Sequence, residues 1–451
     1  MKIGVDISLL QGPHRLRGIG SVLINFINNL SENQKNEHEF IFYMNKDLSF
    51  DEKKVFKLLK TDGLNFKVEY FNTYKSTKSN KKKRMKNILM FFLKIYSLIP
   101  ESKIFKKLSK LIVAYGKSIL KLYLIKLNRP NLSDIDSFIQ FDPGGIIPKN
   151  TYVVFFVQDI IPYVIEWDYF WGYQTSRKAG CGIYTSLNNQ INRWSYIKTM
   201  ETKANLSDKV LVNSEVTKND LIKNTTVKKD KIRVIYLGVH LKNLGEKLST
   251  KTPKPYLESS WGYIKSKKSP KLDKPYILYV GGADKRRKLE DLIACFNIIR
   301  AQGHELNLIL AGDTMKGPNA ISNEVFRSSL LDSSYLKDIV FMGFVNNDEL
   351  KYLYKNALCF VFPSRYEGFG LTVLEAMSYG VPVISYPNTA TKEVVGNKVI
   401  YATNILDIVN SINELLLLPK SFRDKIVQEN IKLLKMYSWK KTVSNILHSL
   451  E

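Results

Sequence analysis

The segment "CFVFPSRYEGFGLTVLEAMSYGVPVIS", residues 359–385, sets a carboxylate on each side of a loop too tight for large side chains. It reads as an apolar strand, a Pro stop, a Gly-rich loop and a helix. Gly368 and Gly370 let a ligand approach the backbone closely. The helix expected from about Leu371 offers unpaired N–H groups to an anion. A second segment, "GGADKRRK" at 281–288, brings Arg286, Arg287 and Lys288, whose charges suit the same ligand. A phosphate, and best a diphosphate, accounts for both loops at once. Glu375 lies one turn inside the helix, on the side of the bound anion, where a carboxylate accepts hydrogen bonds from the two vicinal hydroxyls of a ribose. Glu367, before the glycine turn, faces whatever the phosphate carries. One acid thus serves each end of a nucleoside diphosphate compound.

These loops need a scaffold that brings them to one edge. The second half supplies it as "PYILYVGG", "LNLILAGD", "DIVFMGFV", "LCFVFP" and "VPVIS", apolar strands alternating with helical patterns such as "KLEDLIACFNIIRAQG". That is a doubly wound parallel sheet, in which ligands sit beyond the carboxyl ends of the strands. A third loop, "GFVNND" at 343–348, reaches the same edge. The first half alternates in the same way, from "KIGVDISLL", read as a buried strand, through "HEFIFYM", "FKVEYF" and "TYVVFFVQDIIPY" to "KIRVIYLGV". The expected organisation is a first domain over 1–240 with an insertion at about 75–126, a linker over 241–273 rich in Pro, Gly, Ser and Lys, a second domain over 274–425, and a C-terminal helix over 426–451 crossing back to the first domain.

The chain has 451 residues and a formal net charge of +26, which points to an anionic partner: nucleic acid, a membrane surface or a phosphorylated substrate. Much of the charge is local. Residues 75–126 hold fifteen Lys or Arg against one Glu, and Ile104, Leu108, Leu111, Tyr115, Ile119 and Leu122 repeat at helical spacing there. Such a segment either packs on the first domain through its apolar stripe or seats the protein on an anionic leaflet. The three cysteines form no zinc pair or disulfide framework, and the five histidines show no ligand spacing, so no metal is expected. The first residues do not read as a signal peptide, and no run of about 18 apolar residues predicts a spanning helix. The expected location is cytoplasmic, peripheral on the inner face of the membrane.

Taken together and in order, "YVGGADKRRKLEDLI", "LNLILAGD", "IVFMGFVNNDELKYLYKNA", "FVFPSRYEGFGLTVLEAMSYGVPVI" and "EVVGN" resemble the retaining GT-B glycosyltransferases of glycosyltransferase family four, and "EGFGLTVLE" resembles their Glu-x7-Glu motif. The first half is similar too, through "RGIGSVLINFINNL", "FVQDIIPYV" and "DKVLVNSEVTKNDLI". The resemblance implies an α/β GT-B fold, with two Rossmann-like domains facing across a cleft. It implies transfer of a sugar, with retention, from a nucleotide-diphosphate sugar to a polysaccharide or lipid-linked glycan, without a metal or other cofactor. Glu367 would hold hydroxyls of the donor sugar and support its departing charge, and Glu375 would bind the ribose. Arg286 and Arg287 match the Arg-Lys pair on the diphosphate, with Lys288 an extra neighbour. Gly368, Phe369, Gly370, Leu371 and Thr372 would line the phosphate, largely through backbone. Val345 matches a position near the nucleobase. Gly18 and Gly20 match the N-terminal glycine loop, a segment that also reads as a plain tight turn. Asp159 belongs to a His-Asp pair in which Gln158 replaces His, so that a non-titrating amide faces the sugar; Asp159 alone also reads as a cap on the following turn.

Other functions fit the residues less well. A nucleic-acid-binding protein is suggested by charge alone, without a basic-aromatic module. A non-catalytic subunit with the same fold would have no use for both acids. A nicotinamide dehydrogenase lacks its glycine fingerprint after the first strand.

Overall fold

The computed structural model describes residues 1–12, 18–48, 51–71, 129–132, 134–165, 183–240 and 274–451. The basic segment at 75–126 and the linker at 241–273 lie outside the described residues. The chain divides into two compact units, Met1–Gly238 with Trp439–Glu451, and Val239–Ser438.

The first unit is built on a parallel sheet of β1 (Lys2–Asp6), β2 (Glu39–Asn45), β3 (Phe66–Phe71), β4 (Ser137–Gln140), β5 (Tyr152–Val157), β6 (Lys209–Val212) and β7 (Ile232–Val234), in the order β3-β2-β1-β4-β5-β6-β7. Its central strands are apolar on both faces, as a sheet covered on both sides requires. Val5 pairs with Phe42 on one side and Ile139 on the other. The order reverses between β1 and β4. Strand β4, "SFIQ", is short and completely buried, and carries no alternation by which to recognise it. The expected strand "KIGVDISLL" is extended only to Asp6. There the Asp6 carboxylate accepts the Ser8 N–H at 2.9 Å and turns the chain into a 3-10 helix over Ser8–Gln11.

The final helix, Trp439–His448, belongs to this unit, whereas the preceding helix, Lys420–Leu434, belongs to the second. The Thr442 hydroxyl donates to the Tyr236 carbonyl at 2.8 Å. Gly238 makes the return possible, since a Cβ there would lie 2.1 Å from the backbone nitrogen of Trp439.

The second unit carries β8 (Tyr276–Val280), β9 (Asn307–Ala311), β10 (Ile339–Gly343), β11 (Cys359–Phe362), β12 (Val383–Ser385) and β13 (Ile400–Tyr401), in the order β10-β9-β8-β11-β12-β13. All pairs are parallel, so every strand ends at the same edge. The order reverses between β8 and β11, where Cys359 pairs with Ile277. The loops after these two strands therefore leave in opposite directions and open a crevice between them. Those loops are 281–288 and 363–370. Helix Leu289–Ala301 covers the sheet with Leu292, Phe296 and Ile299, all fully buried. Among the described residues, no helix is long and apolar enough to cross a membrane.

Candidate active site

The crevice at the β8/β11 switch is closed at its base by a charged network. Arg286 is buried, its guanidinium ion-paired to the Glu367 carboxylate. It also donates to the Tyr366 carbonyl at 2.8 Å, and its own carbonyl accepts the Arg365 N–H at 2.9 Å. The two loops are thus laced together by one residue. Ser364, fully buried, donates to Glu367 Oε1 at 2.8 Å, and its carbonyl is held by the Asn388 side chain at 3.0 Å. Arg287 stands next in line, with Nη2 3.8 Å from Glu367 Oε1 and Nη1 donating to the Tyr279 hydroxyl at 3.3 Å. The Arg287 guanidinium also lies over the Phe362 ring, 5.5 Å from its centroid. Burial opposes ionisation of Glu367, but the charges of Arg286 and Arg287 outweigh it, aided by the Ser364 hydroxyl, and hold the carboxyl below its ordinary value. Burial likewise acts against the Arg287 cation, and Glu367 reverses it. Burial pushes the Tyr279 phenol up to about 12, so it stays neutral and donates a hydrogen bond to the Gly282 carbonyl at 2.6 Å.

Gly281 is required where this network meets the sheet. A Cβ there would lie 2.4 Å from Arg287 Nη1, and its φ of 153° is one that side chains avoid. Lys288 is left-handed at φ 48°, the kind of strain that collects at functional sites. Its Nζ pairs with Glu290 at 3.1 Å, so part of its charge is directed away from the arginines.

The second loop delivers the helix Leu371–Ser378. Gly370 stands at its N-terminus in the left-handed region at φ 91°, a conformation that favours glycine. Gly368 is buried but has an ordinary backbone conformation, so of the two glycines only Gly370 is demanded by geometry. Leu371, Thr372 and Glu375 are half-buried, and their spacing puts them on one helix face, while Val373, Leu374, Ala376 and Met377 fill the core. Phe369 turns the other way. Its ring is buried edge-on against Tyr437, with centroids 6.0 Å apart. Val345 sits half-buried in the turn between β10 and the helix Asn347–Asn356, on the same edge.

Gly18, Gly20, Gln158 and Asp159 are gathered in the first unit. Gln158, buried, donates to the Ile19 carbonyl at 3.3 Å, so the glycine segment is fastened to the end of β5. Gly18 lies beside that side chain, though a Cβ there would stand 3.8 Å from Gln158 Oε1, an ordinary contact, so space does not require glycine at this position. Asp159 accepts the Ile161 N–H at 3.0 Å, the capping contact open to it from sequence. Ser364 and Asp284, which touch the arginines directly, are not among the residues expected from the sequence, nor are Tyr279 and Asn388 behind them. Asp284 Oδ2 lies 3.7 Å from Arg286 Nη2 and 3.4 Å from Arg287 Nε. The signal for Ser364 was its place three residues before Glu367; for Asp284 it was an acid inside an otherwise basic run. Among the described residues, no group of three His, Cys, Asp or Glu is placed to hold a metal ion.

Parts of the chain are similar to known proteins. Residues 263–433 match the family described as glycosyl transferases group 1. The chain is 27% identical over 308 residues to an uncharacterized glycosyltransferase of Methanocaldococcus jannaschii, covering 66% of this chain and 73% of that one. It is 30% identical over 176 residues to the O-antigen chain mannosyltransferase B of Escherichia coli, covering 39% of this chain and 45% of that one. Among solved structures, Anabaena HepE in complex with UDP and glucose superposes with a TM-score of 0.59 at 14% identity, over 100% of this chain and 99% of that chain. The chain thus has a GT-B fold and carries, within its second unit, a region that matches glycosyl transferases group 1, in keeping with a glycosyltransferase enzyme.

Proposed function

We propose that the protein transfers a sugar, with retention of anomeric configuration, from a nucleotide-diphosphate sugar to a polysaccharide or lipid-linked glycan. The observation that carries this is the buried Arg286–Arg287–Glu367 network beside the N-terminus of helix Leu371–Ser378, at the topological switch of the second sheet. The donor diphosphate lies between the two arginines and the helix N–H groups, which together offset its charge without a metal. Glu375, on the exposed face of that helix, takes the ribose hydroxyls. Glu367, kept ionised, holds hydroxyls of the sugar and stabilises the positive charge that grows on it as the diphosphate leaves. The acceptor then attacks from the face the diphosphate vacates. Mannosyltransferase and UDP-sugar relatives support a glycan-building role, and leave the donor as a choice among UDP, GDP and other nucleotides.

We also place the enzyme at an anionic membrane surface, on the strength of the fifteen basic residues in 75–126. Each contributes about 1 kcal/mol near such a surface. Failure of the protein to float with anionic liposomes at low salt would remove this part. The transfer itself is tested by nucleotide release from a panel of UDP-, GDP-, ADP- and TDP-sugars. Release from one donor, lost in Glu367→Gln, is expected. A panel without release and without thermal protection by any donor sinks the proposal.

A further inference from the structure

The cations proposed for the diphosphate are not held by Glu367 alone. Asp284 stands on their solvent side, its carboxylate 33% exposed where the Arg286 and Arg287 side chains are 6% and 14% exposed. Two arginines therefore share two carboxylates, and the network carries no surplus positive charge of its own. The two acids are held differently. Glu367 is fixed by Ser364 and Arg286 within the crevice. Asp284 approaches Arg287 Nε at 3.4 Å without the alignment of a hydrogen bond. Its backbone is tied by a hydrogen bond, the carbonyl accepting the Arg287 N–H at 3.0 Å, while its carboxylate is held by the ion pairs. Gly282 leaves space for the carboxylate, since a Cβ there would stand 3.3 Å from Asp284 Oδ2.

Resting on the proposed function, we infer that Asp284 is a positioning residue that aligns Arg286 and Arg287 and competes with the donor diphosphate for them, so that the nucleoside diphosphate product is released faster. A charge about 6–8 Å from a phosphate at a protein surface changes affinity by roughly three- to thirtyfold. Asp284→Asn preserves size and removes the charge.

The test is calorimetric titration of UDP and GDP into wild type, Asp284→Asn, Asp284→Glu and Arg287→Ala, with steady-state kinetics on the responding donor sugar. The expected result is diphosphate binding roughly three- to thirtyfold tighter in Asp284→Asn. KM and kcat should fall together in that variant as release slows, and Asp284→Glu should stay near wild type. A merely structural Asp284 gives the opposite sign, with Asp284→Asn binding diphosphate more weakly. Weaker or unchanged binding in Asp284→Asn, with Arg287→Ala losing the ligand, overturns the inference and leaves the diphosphate seat standing. Binding by Arg287→Ala equal to wild type overturns the seat as well.

Discussion

Arg286 and Glu367 form an ion pair in which both side chains are nearly out of solvent, 6% and 10% exposed, and which joins the loops on the two sides of the sheet switch. Removing one partner of such a pair leaves a buried charge uncompensated, at a cost of about 3–5 kcal/mol. Glu367→Ala should therefore lower Tm as well as activity. Glu367→Gln keeps an acceptor for Ser364 and Arg286 and removes only the charge. It is expected to lose roughly a hundredfold or more in turnover while melting closer to wild type than the alanine variant. Thermal denaturation beside donor turnover measures both.

Ser364 is the hydroxyl that holds the Glu367 carboxylate, at 2.8 Å. Its hydrogen bond favours the ionised form, so removing it raises the Glu367 pKa toward its ordinary value. The ionised form is the useful one, so the acidic limb of the pH–rate profile should move to higher pH in Ser364→Ala. Loss of a hydrogen bond to a charged group is worth roughly 1.5–3 kcal/mol, which sets a tenfold or larger drop in kcat/KM. A profile superposing on wild type would detach Ser364 from the site.

Gly370 is at φ 91°, with only Thr391 Oγ1 within reach of an added Cβ, at 3.9 Å. Space is available, and strain is the obstacle. Gly370→Ala should cost about 1–2 kcal/mol if the backbone keeps its shape. If the loop instead relaxes, the first N–H groups of the helix turn away from the diphosphate. Either way nucleotide affinity falls, by titration, more than it does for Gly368→Ala.

Lys203 tests the first unit. It is buried beside Asp6 and Asp142, with its ammonium on the Gly145 carbonyl, and burial lowers its pKa to about 8 despite those acids. An unfolded lysine keeps its proton to about pH 10.5. Between these values the unfolded chain binds more protons than the folded one, so stability rises with pH. Measured against Lys203→Met, wild type should gain Tm between pH 8 and 10. A constant difference would mean that Lys203 titrates normally.

Most of the second unit was legible because its strands are unbroken apolar runs: "YILYV", "NLILA" and "CFVF" end at glycine or proline. The candidate site was legible as a cluster because Glu367, Gly370 and Glu375 share one short segment. Strand β4 was not, since four residues carry too little pattern, and its place beside β1 depends on pairing far along the chain. The end of β1 was misread for a related reason. The buried Leu9 and Leu10 continue the apolar run, while a side-chain hydrogen bond from Asp6 decides where the strand stops. The role of Ser364 rests on a contact with Arg286, 78 residues away in the chain, and that of Asp284 on how its own short loop folds the carboxylate onto Arg286 and Arg287; spacing alone discloses neither.

The division of labour between the two acids is tested most directly by titrating UDP and GDP into wild type, Glu367→Gln and Glu375→Gln. Glu367→Gln should bind the responding diphosphate at least as tightly as wild type, while Glu375→Gln loses roughly 1.5–3 kcal/mol, and loses less against the 2′-deoxy nucleotide. Equal losses in both variants would contradict the assignment of one acid to the sugar and the other to the ribose.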